Sequence, residues 1–391
     1  MNRDHQSPAR QVAIIGGGVI GLSIGWRLAA AGATVTIHER TQAGRAASWA
    51  AAGMLAAGSE VEPGETGLLA LTLRSQSMWS AFASELGRVS GIDVGLRTEG
   101  TLAVALTADD LARLRQTHAL QQRVGVASRW LNRDEVLDRE PHLNPRLNGG
   151  LLVAGDHQVD NRLLVDALKQ AFLASGGHLR EGTGDVAVQT SRRRAFGVVS
   201  DGIAYAADRV IVAAGAWSSL IQGVSADALP PVRPVKGQML ALEMDAAAPL
   251  LNHVLWAPKA YLVPRRDGRL IIGATTEERG FDPALTAGAM LSLLEAAWRV
   301  LPGIEELPVV ETWVGFRPGS RDDAPILGVC DVENLILATG HHRNGILLAP
   351  VTAEAIASLV LTGTTGPEIA PFAVNRFRDT HFKRTLEWTS T

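Results

Sequence analysis

Three glycines and an acid mark the first chemistry this chain can do. Gly16-x-Gly18-x-x-Gly21 is followed by Glu39, eighteen positions after the last glycine. A pyrophosphate needs backbone at close range with N–H groups aimed at it. Gly16 permits a tight turn, Gly18 lets backbone approach the phosphates, and Gly21 lets a helix pack close to the strand before it. The free N–H groups and partial positive charge of a helix N-terminus suit the anion. The Glu39 carboxylate can accept hydrogen bonds from ribose hydroxyls, so the set describes a dinucleotide site. Val19 and Ile20 fall inside the turn, and Arg40 follows the acid.

The elements that must position these residues are legible around them. Residues 12–15 are a short apolar strand, 22–31 read as a helix, and 35–38 form a second strand that stops at Glu39. Strand, helix, strand and acid are in register. Two more apolar runs end in small residues, Val210-Ile-Val-Ala-Ala-Gly215 and Leu335-Ile-Leu-Ala-Thr-Gly340. Continuous apolar runs suit parallel strands buried on both faces. Their wide separation implies one nucleotide domain assembled from discontinuous pieces. Between them lie strands bounded by turn residues, at 100–106, 235–243, 260–264 and 268–273, and helices at 111–124 and 285–301. Arg265-Arg266-Asp267-Gly268 is a hairpin turn signal. The expected class is therefore α/β plus α+β: a Rossmann-like domain carrying an inserted substrate domain with a mixed or antiparallel sheet. The expected division is 9–80, 150–225 and 318–380 for the nucleotide domain, with 81–149 and 226–317 for the substrate domain.

Bulk properties agree. At 391 residues two domains are the default. A formal net charge of −3 with 20% charged residues leaves no footprint for nucleic acid. Arg192-Arg193-Arg194 reads as a hairpin tip. Residues 1–10 are polar and lack the apolar core of a secretory signal, and no apolar run is long enough to span a membrane. One cysteine, Cys330, allows no intrachain disulfide. A soluble cytoplasmic protein is expected. No paired His/Cys/Asp/Glu spacing suggests a metal.

Two further segments invite chemistry. Ala47-Ser48-Trp-Ala-Ala-Ala52-Gly53-Met54 is too small-residue-rich to make a good core, and fits backbone passing close to a flat ring system. Gly340-His341-His342-Arg343-Asn344-Gly345-Ile346-Leu347 joins a strand to a helix, whose N-terminus could stabilise negative charge on a reduced ring.

Together with Pro234-Val-Lys-Gly-Gln, Tyr261-Leu-Val-Pro, Ile272-Gly-Ala-Thr and Gly315-Phe-Arg317-Pro-Gly, these stretches resemble the glycine oxidase branch of the D-amino acid oxidase family of flavoproteins. The resemblance runs from Val12 to about Phe377. It implies FAD held at Gly16, Gly18, Val19, Ile20, Gly21, Glu39, Arg40, Ala47 and Ser48. Ala52, Gly53 and Met54 would lie along the cofactor, Val186 would offer its backbone to the adenine, and His341, Arg343, Asn344, Gly345, Ile346 and Leu347 would close over the flavin. It implies that Arg317 pairs with the substrate carboxylate, that Tyr261 assists, and that Arg343 is either a substrate gate or a structural clamp. Arginine suits such a task, being a permanently charged planar fork.

Some relatives attach flavin through a cysteine near the substrate arginine. Cys330 lies thirteen positions past Arg317 and does not match, so non-covalent FAD is expected. Lys259 and Thr276 stand where the branch carries other residues, which leaves open an N-substituted glycine as substrate. The resemblance implies oxidation of glycine or a small amino acid by hydride transfer from Cα, with O2 as oxidant, and a homo-oligomer. A dehydrogenase feeding a carrier is the remaining alternative. No general base is assigned to His253, His341 or His342, because orientation and electrostatics can carry this chemistry.

Overall fold

The computed structural model describes residues 11–64 and 66–378, with no side-chain description at position 66. The polar segment 1–10 and the outer limits at 9 and 380 lie outside the described residues.

A six-stranded sheet runs in the order Ile326–Val329, Leu335–Thr339, Arg209–Val212, Gln11–Ile15, Thr34–His38, His178–Arg180. All neighbours are parallel except the Ile326–Val329 edge. Gln11–Ile15 is buried on both faces, as its apolar run requires. Val12 and Ile14 face a helical layer, while Ala13 and Ile15 face the core under a three-stranded sheet of Ala187–Ser191, Arg194–Ser200 and Ile203–Ala206. The helical layer comprises Val19–Ala30, Thr66–Ser90, Asn161–Ala174 and Ala349–Thr362. The hairpin tip expected at 192–194 is present, with Arg192 and Arg193 at φ 49° and 61°.

An eight-stranded mixed sheet forms the second layer system. Its order is Val309–Gly319, Arg233–Glu243, Arg269–Gly273, Ala260–Pro264, Val254–Ala257, Thr101–Ala105, Gly149–Val153, Arg129–Leu131. Only the pairing of Val254–Ala257 with Thr101–Ala105 is parallel. The two-residue period sorts side chains between its faces. Leu240 and Leu242 pack in the core under helix Ala287–Val300, while Met239 and Ala241 face Ala50 and Ala52 of the first layer system. That second face meets the nucleotide domain and leaves a cleft between them.

Three expected boundaries fall inside elements. Helix Thr66–Ser90 continues through position 80 and buries Phe82 and Leu86 in the nucleotide core. A helix cannot be divided there without breaking its hydrogen-bond ladder, so the expected division at 80/81 lies within one continuous element. Strand Gly149–Val153 pairs with Thr101–Ala105 in the mixed sheet, so the expected division at 149/150 falls within it, and the one at 317/318 falls within strand Val309–Gly319, which pairs with Arg233–Glu243 through Gly319.

Candidate active site

The turn after Gln11–Ile15 is built as its glycines require. Gly16 has φ +106°, and a Cβ there would lie 2.5 Å from the Ala213 carbonyl oxygen. A Cβ on Gly21 would lie 2.0 Å from the Gly16 carbonyl oxygen, so this glycine is a packing residue behind the turn. Helix Val19–Ala30 has no cap from Gly18. Instead the Val19 N–H donates to Ser48 Oγ over 2.9 Å, and the Gly17 N–H donates to Glu39 Oε2 over 2.8 Å. Glu39 thus closes the end of the second strand onto the glycine turn, with the Thr41 N–H on its other oxygen at 3.0 Å.

A cleft of about 870 Å³ opens at these strand ends and runs to the mixed sheet. Gly16, Gly18, Val19, Ile20, Glu39, Arg40, Ala47, Ser48, Ala52, Gly53, Met54 and Val186 line it, as do His341, Arg343, Asn344, Gly345 and Ile346. Arg317, Tyr261, Lys259 and Thr276 line the far end. Gly21 and Leu347 do not. The Leu347 carbonyl is instead taken by Ser75 Oγ at 2.6 Å and Trp79 Nε1 at 2.9 Å, which ties the segment to helix Thr66–Ser90. The cleft combines a glycine cradle, a strand-end carboxylate and a wall of small residues, and it is long enough for a dinucleotide with a small molecule beyond it.

At the far end, sheet register does the positioning. Arg317 pairs with Val235 across the ladder, and its guanidinium lies over Gly237, where a Cβ would meet Nη1 at 2.6 Å. Tyr261 stands opposite Gly273, where a Cβ would meet the phenol oxygen at 2.6 Å. Two glycines therefore make room for the two polar side chains. Arg317 Nη1 donates to the Thr275 carbonyl over 3.1 Å, and Thr275 Oγ1 donates to Glu277 Oε1 over 2.6 Å. Among the described residues no carboxylate lies within ion-pairing distance of Arg317. Burial raises the Tyr261 phenol above its usual range and Arg317 opposes the shift. The site therefore presents an anchored cation beside a neutral hydroxyl.

Arg343 differs. Its Nε lies 3.0 Å from Glu60 Oε2 and its Nη2 2.6 Å from Glu62 Oε1, so two carboxylates already hold it. Glu60, which also lines the cleft, was not singled out in the sequence. It lies in an irregular segment after Met54–Leu55, where no period or spacing marks it. Burial pushes its carboxyl up to about 7, against the pull of Arg343 and Arg317.

The histidines have structural partners. His341 Nε2 lies 3.1 Å from Thr352 Oγ1, and burial takes its pKa down to about 3. His342 is lowered to about 4, by burial first and then by Arg317, Arg343 and Arg233. His253 Nδ1 sits 2.6 Å from Glu140 Oε1, away from the cleft. Cys330 is also off the cleft, its sulfur against the carbonyls of Val332 and Leu335. Among the described residues no cluster could hold a metal ion, and no helix is long and apolar enough to cross a membrane.

Comparison with known proteins agrees with this geometry. Residues 11–359 match the model of the DAO family, described as FAD dependent oxidoreductase. The glycine oxidase of Geobacillus kaustophilus is 38% identical over 370 residues, covering 93% of this chain and 96% of that protein. The bifunctional protein ThiO/ThiG of Synechocystis is 38% identical over 376 residues, 94% of this chain. This chain spans only 54% of that longer protein. The crystal structure of the Geobacillus enzyme superposes with a TM-score of 0.86 at 37% identity, covering 94% of this chain and 99% of that one. The chain belongs to the DAO family of FAD dependent oxidoreductases.

Proposed function

We propose that this protein oxidises glycine, or an amino acid of similar size, at Cα, with O2 as the oxidant. One observation carries the reading: an Arg317 guanidinium with no carboxylate partner among the described residues stands beside the Tyr261 hydroxyl at the end of a dinucleotide-sized cleft. The relatives that are named glycine oxidases favour an unsubstituted amino acid over an N-substituted one, and an oxidase over a carrier-linked dehydrogenase.

Gly16, Gly18, Glu39 and Ser48 would hold the nucleotide half of FAD, and residues 52–54 and 341–346 would flank its ring system. When bound, FAD supplies the hydride acceptor and the reaction with O2. The chain's own residues bind and orient. Arg317 takes the substrate carboxylate with its fork, and the Tyr261 hydroxyl donates to the same anion. Gly237 and Gly273 keep both groups at their positions, so the substrate's Cα is fixed relative to the carboxylate. Glycine, O2 and water then give glyoxylate, ammonia and hydrogen peroxide. Arg343, paired to Glu60 and Glu62, acts as a clamp across the mouth of the site. We further assign residues 11–64, 66–98, 154–225 and 320–378 to the cofactor domain, residues 99–153 and 226–319 to the substrate domain, and a homo-oligomer to the protein in solution.

Anaerobic addition of glycine to the purified protein, followed by flavin absorbance, tests the reading. Bleaching supports it. A flavin that stays oxidised with glycine but bleaches with an N-alkylglycine would move the substrate to the substituted class.

A further inference from the structure

Bound glycine brings a cation as well as an anion, and the cleft holds one buried carboxylate for which the reading above has no substrate role. The side chain of Glu60 is 12% exposed and lines the same cavity as Arg317 and Tyr261. Its loop is built to hold it there. The N–H groups of Gly58 and Ser59 donate to the two oxygens of Asp156 at 2.8 and 2.9 Å, and Gln121 Nε2 donates to the Gly58 carbonyl at 3.0 Å. Asp156 and Gln121 are themselves fully buried. Such a set of buried polar groups, with these hydrogen bonds made, fixes a loop in one conformation.

The charges do not cancel pairwise. Arg343 lies between Glu60 and Glu62, so among these three groups the acids outnumber the base whenever both are ionised. Arg317, which has no carboxylate partner among the described residues, leaves one positive charge in excess in the same cavity. A cavity with separated unit charges of opposite sign matches a zwitterion. A 2-hydroxy acid or a simple carboxylate would satisfy Arg317 alone. A substrate ammonium buried without an anion would be strongly disfavoured.

We propose that Glu60 is the residue that recognises the substrate's amino group, opposite the carboxylate held by Arg317, and thereby selects amino acids over hydroxy acids. This rests on the function proposed above. The groups facing Glu60 are Arg343 and Arg317, Asp156 and Glu62, and Tyr261. Burial, helped by the two acids, keeps its carboxyl within reach of protonation near neutral pH.

The test compares glycine with glycolate, which carries the same carboxylate and no cation, on the flavin-loaded enzyme and its Glu60→Gln and Glu60→Asp variants. Glycine affinity is read from the concentration dependence of anaerobic flavin reduction, or by competition against glycolate. Glycolate affinity is read from perturbation of the flavin spectrum. Glu60→Gln should weaken glycine by about tenfold or more, the size of a charge-assisted hydrogen bond. Glycolate should bind as well or better, since Arg343 loses a competing anion. Glu60→Asp should restore part of the glycine affinity. In the unsubstituted enzyme glycine should weaken as pH falls below about 7, and Glu60→Gln should show no such limb. If glycine and glycolate strengthen together in Glu60→Gln, Glu60 only neutralises Arg343 and the assignment is wrong. A variant whose flavin no longer responds to glycolate has lost the pocket, and the glycine-to-glycolate ratio in Glu60→Asp then decides. Glycine that binds without reducing the flavin would remove the proposed reaction while leaving the Glu60 contact standing.

Discussion

Arg265 Nη2 donates to the carbonyl oxygen of Ala52 over 2.7 Å, which joins the hairpin of the mixed sheet to the small-residue loop lining the cleft. The same guanidinium donates to Gln158 Oε1, the Val159 carbonyl and Asn161 Oδ1 at 2.7 to 3.0 Å. Asn161 in turn donates to the carbonyls of Ser48 and Trp49, so one buried arginine and one amide set the path of the loop. Burial lowers Arg265 to about 10, with Asp160 opposing, and it stays charged at neutral pH.

Arg265→Met should therefore strand four buried acceptors and loosen residues 52–54. We expect a loss of about 3–5 kcal/mol in unfolding free energy, read from denaturant melts, together with weaker FAD retention on dialysis. A variant with unchanged stability and flavin content would show that the clamp has no energetic role.

Arg317→Ala removes the anchor while leaving the dinucleotide end of the cleft untouched. KM for glycine should rise by about a hundredfold or more, as expected when a bidentate charged contact is lost. The flavin should remain bound at wild-type stoichiometry. Steady-state kinetics beside an absorbance spectrum checks both halves, and glycine turnover at the wild-type KM would discard Arg317 as the carboxylate site.

Gly237→Ala is the subtler probe of the same contact. The added methyl would stand 2.6 Å from Arg317 Nη1, and Gly237 does not need a left-handed backbone. The protein should fold and hold FAD, while kcat/KM for glycine falls by about ten- to a hundredfold, because a displacement of order 1 Å misaligns the reacting carbon. An unaltered kcat/KM would mean that the guanidinium adjusts freely.

Stability should depend on pH in a definite direction. His38 and His342 have pKa values lowered to about 4 and His341 to about 3, against an unfolded value of 6.5, with burial the first cause in each. The unfolded chain thus takes up three histidine protons as pH falls from 6.5 towards 4, while the folded chain does not. Stability from these groups is full above 6.5 and falls on acidification. Glu60 works the other way, since its folded value of about 7 exceeds its unfolded value of 4.5. Three against one leaves a net uptake of two protons on unfolding in the window from 6.5 to 4.5. The slope is at most about 2.7 kcal/mol per pH unit. Urea melts at pH 6.5, 5.5 and 4.5 measure it, and a midpoint that rises on acidification would reverse the assignment.

Much of the fold was legible in the chain because its signals are local. The strand, turn, helix, strand and acid from Val12 to Glu39 appear as expected, as do the hairpins at 192–194 and 265–268 and the helices near 111–124 and 285–301. Periodicity and turn chemistry are written within a dozen residues, so one sequence suffices. Boundaries were less legible, because a helix such as Thr66–Ser90 carries no mark where its packing partner changes.

The site divides in the same way. By itself the sequence determined the glycine turn, the acid that closes it, and the residue types able to grip a carboxylate, since these rest on what each side chain and its near neighbours can do. Only the tertiary structure decided that Arg317 lies over Gly237 and Tyr261 over Gly273, because sheet register brings together residues 80 and 12 positions apart. Only the tertiary structure placed Arg343 between two acids, Glu60 and Glu62. It also brought Glu60 into the cleft, held by a loop whose partners lie up to about a hundred residues away. A charge acquires its role from burial and from the sign of its neighbours, and both are properties of packing.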